Sequence, residues 1–131
     1  QIAMAIERQW RCYSVTVAWS VYDETLRMVC GFDMEPPKDA LPRLYSLLNL
    51  VNDQCWSGSF THWDEQQTMV YRGALLLVGT DGPLPEQVET LIEAAVASCE
   101  RFYPAFALTL WGDKTPQEAV QAAINEAYGT A

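Results

Sequence analysis

The chain has 131 residues, half of them hydrophobic, and its 8 lysines and arginines against 17 aspartates and glutamates give a formal net charge of −9. This length and apolar content predict one domain over residues 1–131 with its own core. The acidity argues against a nucleic-acid partner or an anionic membrane, since both require a basic surface. No apolar run approaches the roughly 20 residues of a membrane-spanning helix, so we expect no membrane partner.

The first third of the chain alternates apolar and polar residues, which is typical of half-buried strands. Alternation over residues 12–21 and 26–34, around a polar turn at Asp23 and Glu24, predicts an antiparallel hairpin. Residues 2–6 predict a third strand in the same sheet. The apolar face of the hairpin is expected to be core and consists of Tyr13, Val15, Val17, Trp19, Val21, Leu26, Met28, Cys30, Phe32 and Met34.

A helix and two further strands follow the hairpin. Apolar residues recur every three or four positions over residues 39–55, which predicts a helix, with Asp39 as its cap. Its apolar stripe consists of Leu41, Leu44, Tyr45, Leu48, Val51 and Cys55. Strands are then predicted at 59–63 and 69–78, and the adjacent Leu76 and Leu77 predict burial on both faces of the second.

The last third is predicted to be helical. A stripe from Val88 to Phe102 follows Pro85, which suits a first helical turn. Pro104 is expected to end or kink this helix at Tyr103, and residues 106–111 fit either a strand or more helix. The sequence TPQE at 115–118 is a capping box for a final helix to about Tyr128. The order of elements predicts an α+β domain with an antiparallel sheet of about five strands and helices packed on it.

One combination of residues suggests catalysis. A cysteine nucleophile needs a nearby base, and that histidine needs an orienting acid, so Cys55, His62 and Asp64 are the candidates. Cys55, however, ends an apolar helical stripe, and a buried thiol stays protonated and reacts poorly. A cysteine-dependent hydrolase is therefore the least favoured hypothesis, and we expect no catalytic residue.

The sequence also argues against a metal or a cofactor. Cys12, Cys30, Cys55 and Cys99 are widely spaced and form no CxxC pair, whereas a structural zinc site requires close pairs. We expect reduced, buried thiols of a cytoplasmic protein. The loop at 79–82 lacks the lysine and the glycine spacing of a Walker motif, so it is interpreted as a plain turn.

Tryptophan is frequent in the chain, at positions 10, 19, 56, 63 and 111. Most of these side chains are expected in the core, because aromatic rings fill small cores efficiently. Trp56, Phe60 and Trp63 cluster where the central helix meets the next strand. Aromatic residues are enriched at interface anchors, so a dimer or partner interface is the alternative interpretation of these three.

Several segments of the chain match a known pattern: CERFYPAF at 99–106, LWG at 110–112, TPQEA at 115–119, LLNLVN at 47–52 and WSGSF at 56–60. Together they resemble the YbjN-domain family of bacterial proteins, in its alphaproteobacterial form. The likeness covers nearly the whole chain, and the CERFYPAF block is its most specific part. The family is described as sensory transduction regulators and has no established catalytic residues.

The resemblance implies a fold like that of type III secretion chaperones, in the order helix, three strands, helix, two strands, helix. Such proteins are small acidic homodimers that hold other proteins. Because Gln1 already lies in the first strand pattern, we expect a leading helix upstream of it in the full-length protein.

The function that we expect is a cytoplasmic, homodimeric, non-enzymatic domain that binds a partner protein in bacterial signalling or stress response. The alternative is a small-molecule sensor, because the strand face that carries Ser14, Thr16 and Ala18 is small and polar enough to line a pocket.

Overall fold

The computed structural model describes residues 1–8 and 11–127, in which five strands form one antiparallel sheet beneath three α-helices. The strands are β1 (Ile2–Glu7), β2 (Cys12–Ser20), β3 (Thr25–Phe32), β4 (Gly58–Trp63) and β5 (Thr68–Leu76). The helices are α1 (Leu41–Asn52), α2 (Pro85–Leu110) and α3 (Pro116–Ala127), and a 3-10 turn at Lys38–Ala40 leads into α1. The predicted α+β class and order of elements are confirmed, while Tyr128, the predicted end of the last helix, lies outside the described residues.

The strand order in the sheet is β1-β2-β3-β5-β4. After β3 the chain crosses through α1 to the sheet edge, forms β4 there, and returns as β5 between β4 and β3. The register places Val29 opposite Thr16 on β2 and opposite Arg72 on β5. Two strands that are distant in sequence, β3 and β5, therefore form the centre of the sheet.

The core lies between the sheet and the helices. The hairpin contributes eight of its ten predicted core side chains, and the helices contribute a stripe that includes Leu44, Leu47, Leu91, Cys99, Phe102 and Phe106. The prediction is wrong for Trp19, which is 37% exposed, and for Val21, which is 81% exposed. Val21 follows the last residue of β2, so the strand alternation no longer determines where its side chain points.

Helix α1 begins later than predicted because the 3-10 turn precedes it. Asp39 lies in that turn, and the N-cap of α1 is Ala40, without a side-chain hydrogen bond. Leu47 is fully buried, whereas Tyr45 is 54% exposed. The apolar stripe therefore faces the core from a slightly different angle than the sequence pattern suggested.

One further prediction about the second half is wrong: Leu76 is 80% exposed, so β5 is not buried on both faces at this end. Helix α2 does not end at Tyr103 but continues through Pro104 to Leu110, which is the helical alternative expected for residues 106–111. The buried side chains of Phe102 and Phe106, on either side of this proline, hold both halves of the helix against the sheet.

The capping box of α3 is confirmed. The Thr115 hydroxyl oxygen accepts a hydrogen bond from the Glu118 backbone N–H at 3.2 Å, and the Glu118 carboxylate accepts one from the Thr115 N–H at 3.0 Å. These bonds satisfy two backbone donors that the helix start would otherwise leave without partners.

Candidate functional site

The second face of the sheet has no helix over it in the part of the chain that the structure describes. We call it the open face and define it by the residues that alternate with the core positions: Ser14, Thr16, Ala18, Arg27, Val29, Gly31, Ser59, Thr61, Trp63, Thr68, Val70, Arg72 and Ala74. The register joins them across strands, since Ser59 stands opposite Arg72, and Arg72 opposite Val29. Most of these side chains are exposed or partly exposed, whereas Val70 is 1% exposed. Exposed apolar surface on such a face is a candidate binding surface.

The open face carries two depressions. The larger, of about 580 Å³, lies between Arg27, Arg72, Trp56 and Trp63. The smaller, of about 390 Å³, is lined by residues that include Cys12, Ser14, Thr16 and Gly31. Val29 and Trp63 line both depressions, so the two adjoin on the open face.

The predicted aromatic cluster divides between the two faces of the sheet. Trp56, in the loop before β4, is 98% exposed, and it lines the larger depression together with Trp63. Phe60 is only 2% exposed and lies in the core, with its ring centroid 4.9 Å from that of Tyr71 and 5.3 Å from that of Phe106. Trp56 and Trp63 are thus available to a partner, and Phe60 is not.

The expectation that most tryptophans are buried is wrong. Of the four tryptophans that the structure describes, Trp19, Trp56 and Trp111 are exposed and Trp63 is partly buried. Trp10 lies outside the described residues. Phenylalanine and tyrosine fill the centre of the core instead: Tyr13, Phe32, Phe60, Tyr71, Phe102 and Phe106.

The structure does not bring the candidate nucleophile and base together. Cys55 precedes β4, its thiol donates to the Val51 carbonyl at 3.4 Å, and burial raises its pKa against the opposing effect of Arg101. His62 lies at the other end of β4, and the four strand steps from Gly58 to His62 alone span about 13 Å. His62 and Asp64 line a depression there that Lys38 also lines.

All four cysteines are free thiols. Cys30 on β3 and Cys99 on α2 are fully buried, with their sulfur atoms 3.9 Å apart. Their hydrogen bond and the burial raise the pKa of Cys99. Cys12 is exposed because it stands opposite Glu7 on the open side of β2, so the expectation of burial is wrong for this residue. No group of three metal-ligating side chains occurs among the described residues.

Two arginines give the larger depression its charge. Arg27 donates to Asp23 at 2.9 Å, and hydrogen bonds from Ser20 and Arg27 lower the pKa of this carboxyl. Arg72, two strand positions from Ala74, faces the same depression. The sequence pattern placed Arg27 on the polar side of the hairpin, but it held no signal for the β3–β5 register that brings Arg72 beside it.

Comparison with known proteins identifies one family. The model of the YbjN family, described as "Putative bacterial sensory transduction regulator", matches residues 1–108, which include all five strands, α1 and most of α2. Searches of curated proteins and of solved structures give no match. Within the described ranges, no helix is both long enough and apolar enough to span a membrane.

Proposed function

The chain belongs to the YbjN family, and we propose that it is a non-enzymatic regulatory domain that binds a partner protein on the open face. The observation that carries this proposal is the position of Trp56, which is 98% exposed at the rim of the larger depression. A tryptophan exposed to this degree loses the free energy of apolar burial unless another surface covers it. Its neighbour Trp63 extends the same apolar surface onto the sheet.

The architecture supports one mode of binding. A partner segment that contacts Trp63 lies across the open face rather than along the edge strand β4, because the Asn52 side chain already bonds the Phe60 N–H at 2.7 Å and the Phe60 carbonyl at 3.1 Å on that strand. Truncation of a tryptophan anchor at the centre of an interface to alanine commonly costs about 2 kcal/mol or more of binding free energy. We therefore assign the anchor role to Trp56 and Trp63.

The test is quantitative affinity capture from the native host with three variants of the full-length protein. Trp56→Ala and Trp63→Ala are expected to lose the specific partner. Trp111→Ala is the matched control, because Trp111 is 55% exposed at the end of α2, away from both depressions. Equal recovery of the partner by all three variants would overturn the proposed binding surface, as would the absence of any specific partner.

We also propose that the protein is a homodimer located in the cytoplasm. Support for the location comes from the four free thiols, which are typical of a reducing compartment. Light scattering on the purified full-length protein tests the dimer: a mass of two chains is expected, and a mass of one chain at micromolar concentration contradicts it.

A second candidate function is the sensing of a small molecule. The smaller depression favours it, because Ser14 and Thr16 offer hydroxyl groups there and its volume of about 390 Å³ suits a small ligand. Gly31 lies on its floor, where an added Cβ meets no atom closer than 3.8 Å. A metabolite that raises the melting temperature of the wild type but not of Gly31→Leu would support this function; no such compound in a broad metabolite screen would remove it.

A further inference from the structure

The open face concentrates positive charge at one point, although the chain as a whole is acidic. Arg27 on β3 stands opposite Ala74 on β5, and Arg72 stands opposite Val29, so the two arginines are diagonal neighbours on adjacent strands. Both are exposed. Among the described residues that line the larger depression, these two alone are charged. Two of the 8 basic residues of a chain with net charge −9 therefore meet on one uncovered surface.

Neither guanidinium group is held by a buried partner. The pair between Arg27 and Asp23 is 60% and 52% exposed, and exposed pairs of this kind contribute little and exchange readily with other anions. Arg72 forms no hydrogen bond or ion pair with the residues that the structure describes. Like charges on neighbouring strands repel each other, so an anion that binds between them also removes this repulsion.

From this arrangement we propose that the open face binds an extended protein segment with acidic residues at positions i and i+2. The inference rests on the proposed function and specifies its partner. Alternate side chains of an extended segment point to one side about 7 Å apart, and diagonal positions on adjacent strands are about 7 to 8 Å apart. Each carboxylate of the segment therefore meets one guanidinium group without any displacement of β3 or β5.

The aromatic side chains determine what flanks the acidic pair. Trp63 lies beside the two arginines in the same depression, and Trp56 stands at its rim. Ser57 and Ser59 belong to the same lining, although the Ser57 hydroxyl is hydrogen bonded to the Tyr71 hydroxyl at 3.0 Å. On β4 the diagonal from Arg27 through Arg72 continues to Thr61, which stands opposite Val70, and Trp63 lies two positions farther along the strand. An apolar or aromatic residue of the segment beyond the acidic pair is therefore favoured for contact with Trp63.

The net charge of the chain favours a short acidic segment over a polyanion. A nucleic acid carries a phosphate on every nucleotide and would bring many like charges against a protein of net charge −9. Two carboxylates on an otherwise apolar segment bring only the charge that the two arginines neutralise. Side chains that pair with both guanidinium groups at once also fix the register of the segment on the sheet.

The test is a selection from a displayed library of random peptides of about ten residues, long enough to cross the sheet. The wild-type protein is expected to select peptides with acidic residues at i and i+2. The double variant Arg27→Gln/Arg72→Gln is expected to lose this selection. A synthetic peptide of the selected sequence should bind Arg72→Gln about tenfold or more weakly, the effect of one lost charge-assisted hydrogen bond.

Two controls make the outcomes distinct. Lys114→Gln removes the same charge from the exposed turn before α3 and should leave binding unchanged. A peptide with the same composition but adjacent acidic residues places its carboxylates on opposite sides and should bind weakly. Selected peptides without the i, i+2 acidic pattern, or full competition by inorganic phosphate, would overturn this inference and leave the proposed function standing. No selection by the wild type beyond that of a Trp56→Ala/Trp63→Ala variant would overturn both.

Discussion

The hydroxyl group of Tyr13 on β2 donates a hydrogen bond to the carboxylate of Glu100 on α2, and this contact ties the longest helix to the sheet. Arg11 donates to the same carboxylate at 2.8 Å, and its guanidinium group lies 3.8 Å from the ring centroid of Tyr103. Glu100 and Tyr103 belong to the CERFYPAF block. The most specific sequence feature of the chain therefore has a structural role on the helical side, away from the open face.

Replacement of this carboxylate should destabilise the fold. Glu100→Gln removes a charge that accepts hydrogen bonds from two side chains, so we expect the free energy of unfolding to fall by about 1 to 2 kcal/mol, at the lower end because the side chain is 32% exposed. Denaturant titration measures this. Glu93→Gln is the control, because Glu93 is exposed on the same helix. Equal losses for the two variants would contradict the account.

The contribution of Glu100 should depend on pH in one direction. Burial raises the pKa of this carboxyl, but the hydrogen bonds from Tyr13 and Arg11 outweigh the burial and bring its pKa below the ordinary value of 4.5. A carboxyl group whose pKa is lower in the folded protein than in the unfolded chain stabilises the fold at pH values above its ordinary pKa. This stabilisation is lost as the pH falls through the folded-state pKa. The stability difference between the wild type and Glu100→Gln should thus be constant near neutral pH and shrink below about pH 4.5. A difference that grows on acidification would contradict this.

Gly58, the first residue of β4, should not tolerate a side chain. A Cβ at this position would lie 2.3 Å from the Arg72 carbonyl oxygen and 2.7 Å from the Tyr71 ring. Gly58→Ala must displace β4 from β5, and we expect a loss of about 2 kcal/mol or more. Gly31→Ala is the matched control in the same sheet, where the added Cβ meets only ordinary contacts at 3.8 Å or more. Thermal unfolding of both variants measures the effect, and similar melting temperatures would show that the β4–β5 contact is looser than described.

One buried hydroxyl group should be dispensable. Thr109 on α2 is fully buried, and its Oγ1 has no hydrogen-bond partner among the described residues. Thr109→Val keeps the shape and removes a polar group that was desolvated without compensation, so we expect a gain of about 1 kcal/mol in the free energy of unfolding. Thr90→Val, at an exposed position of the same helix, should change stability little. A clear loss for Thr109→Val would show that the hydroxyl is hydrogen bonded in solution.

The strand alternation of residues 12–21 and 26–34 predicted most of the hairpin core, because every second side chain of a strand must face the helices. The pairing of β3 with β5 was not predictable, since it joins segments separated by a helix and another strand, and nothing local specifies that register. Arg27 and Arg72 meet only through this pairing. The sequence therefore pointed to Trp56 and Trp63 as candidate interface residues but not to the pair of Arg27 and Arg72.

The division of the aromatic cluster was available from the sequence. Phe60 and Trp63 are three positions apart in a predicted strand, so strand alternation alone places them on opposite faces and against a single cluster. The exposed tryptophans were a different case. Composition favours aromatic rings in a small core, but here phenylalanine and tyrosine fill it, and only the packed structure shows that Trp56 remains outside.

The central claim is that the open face, with Trp56 and Trp63, is the surface that binds the partner. Hydroxyl-radical footprinting of the full-length protein, alone and with its captured partner, tests this most directly, because indole rings are readily oxidised where solvent reaches them. We expect strong protection of Trp56 and Trp63 in the complex, with Trp111 oxidised equally in both samples. Protection of Trp111 and of Tyr45 on the helical layer, with Trp56 still fully reactive, would contradict it.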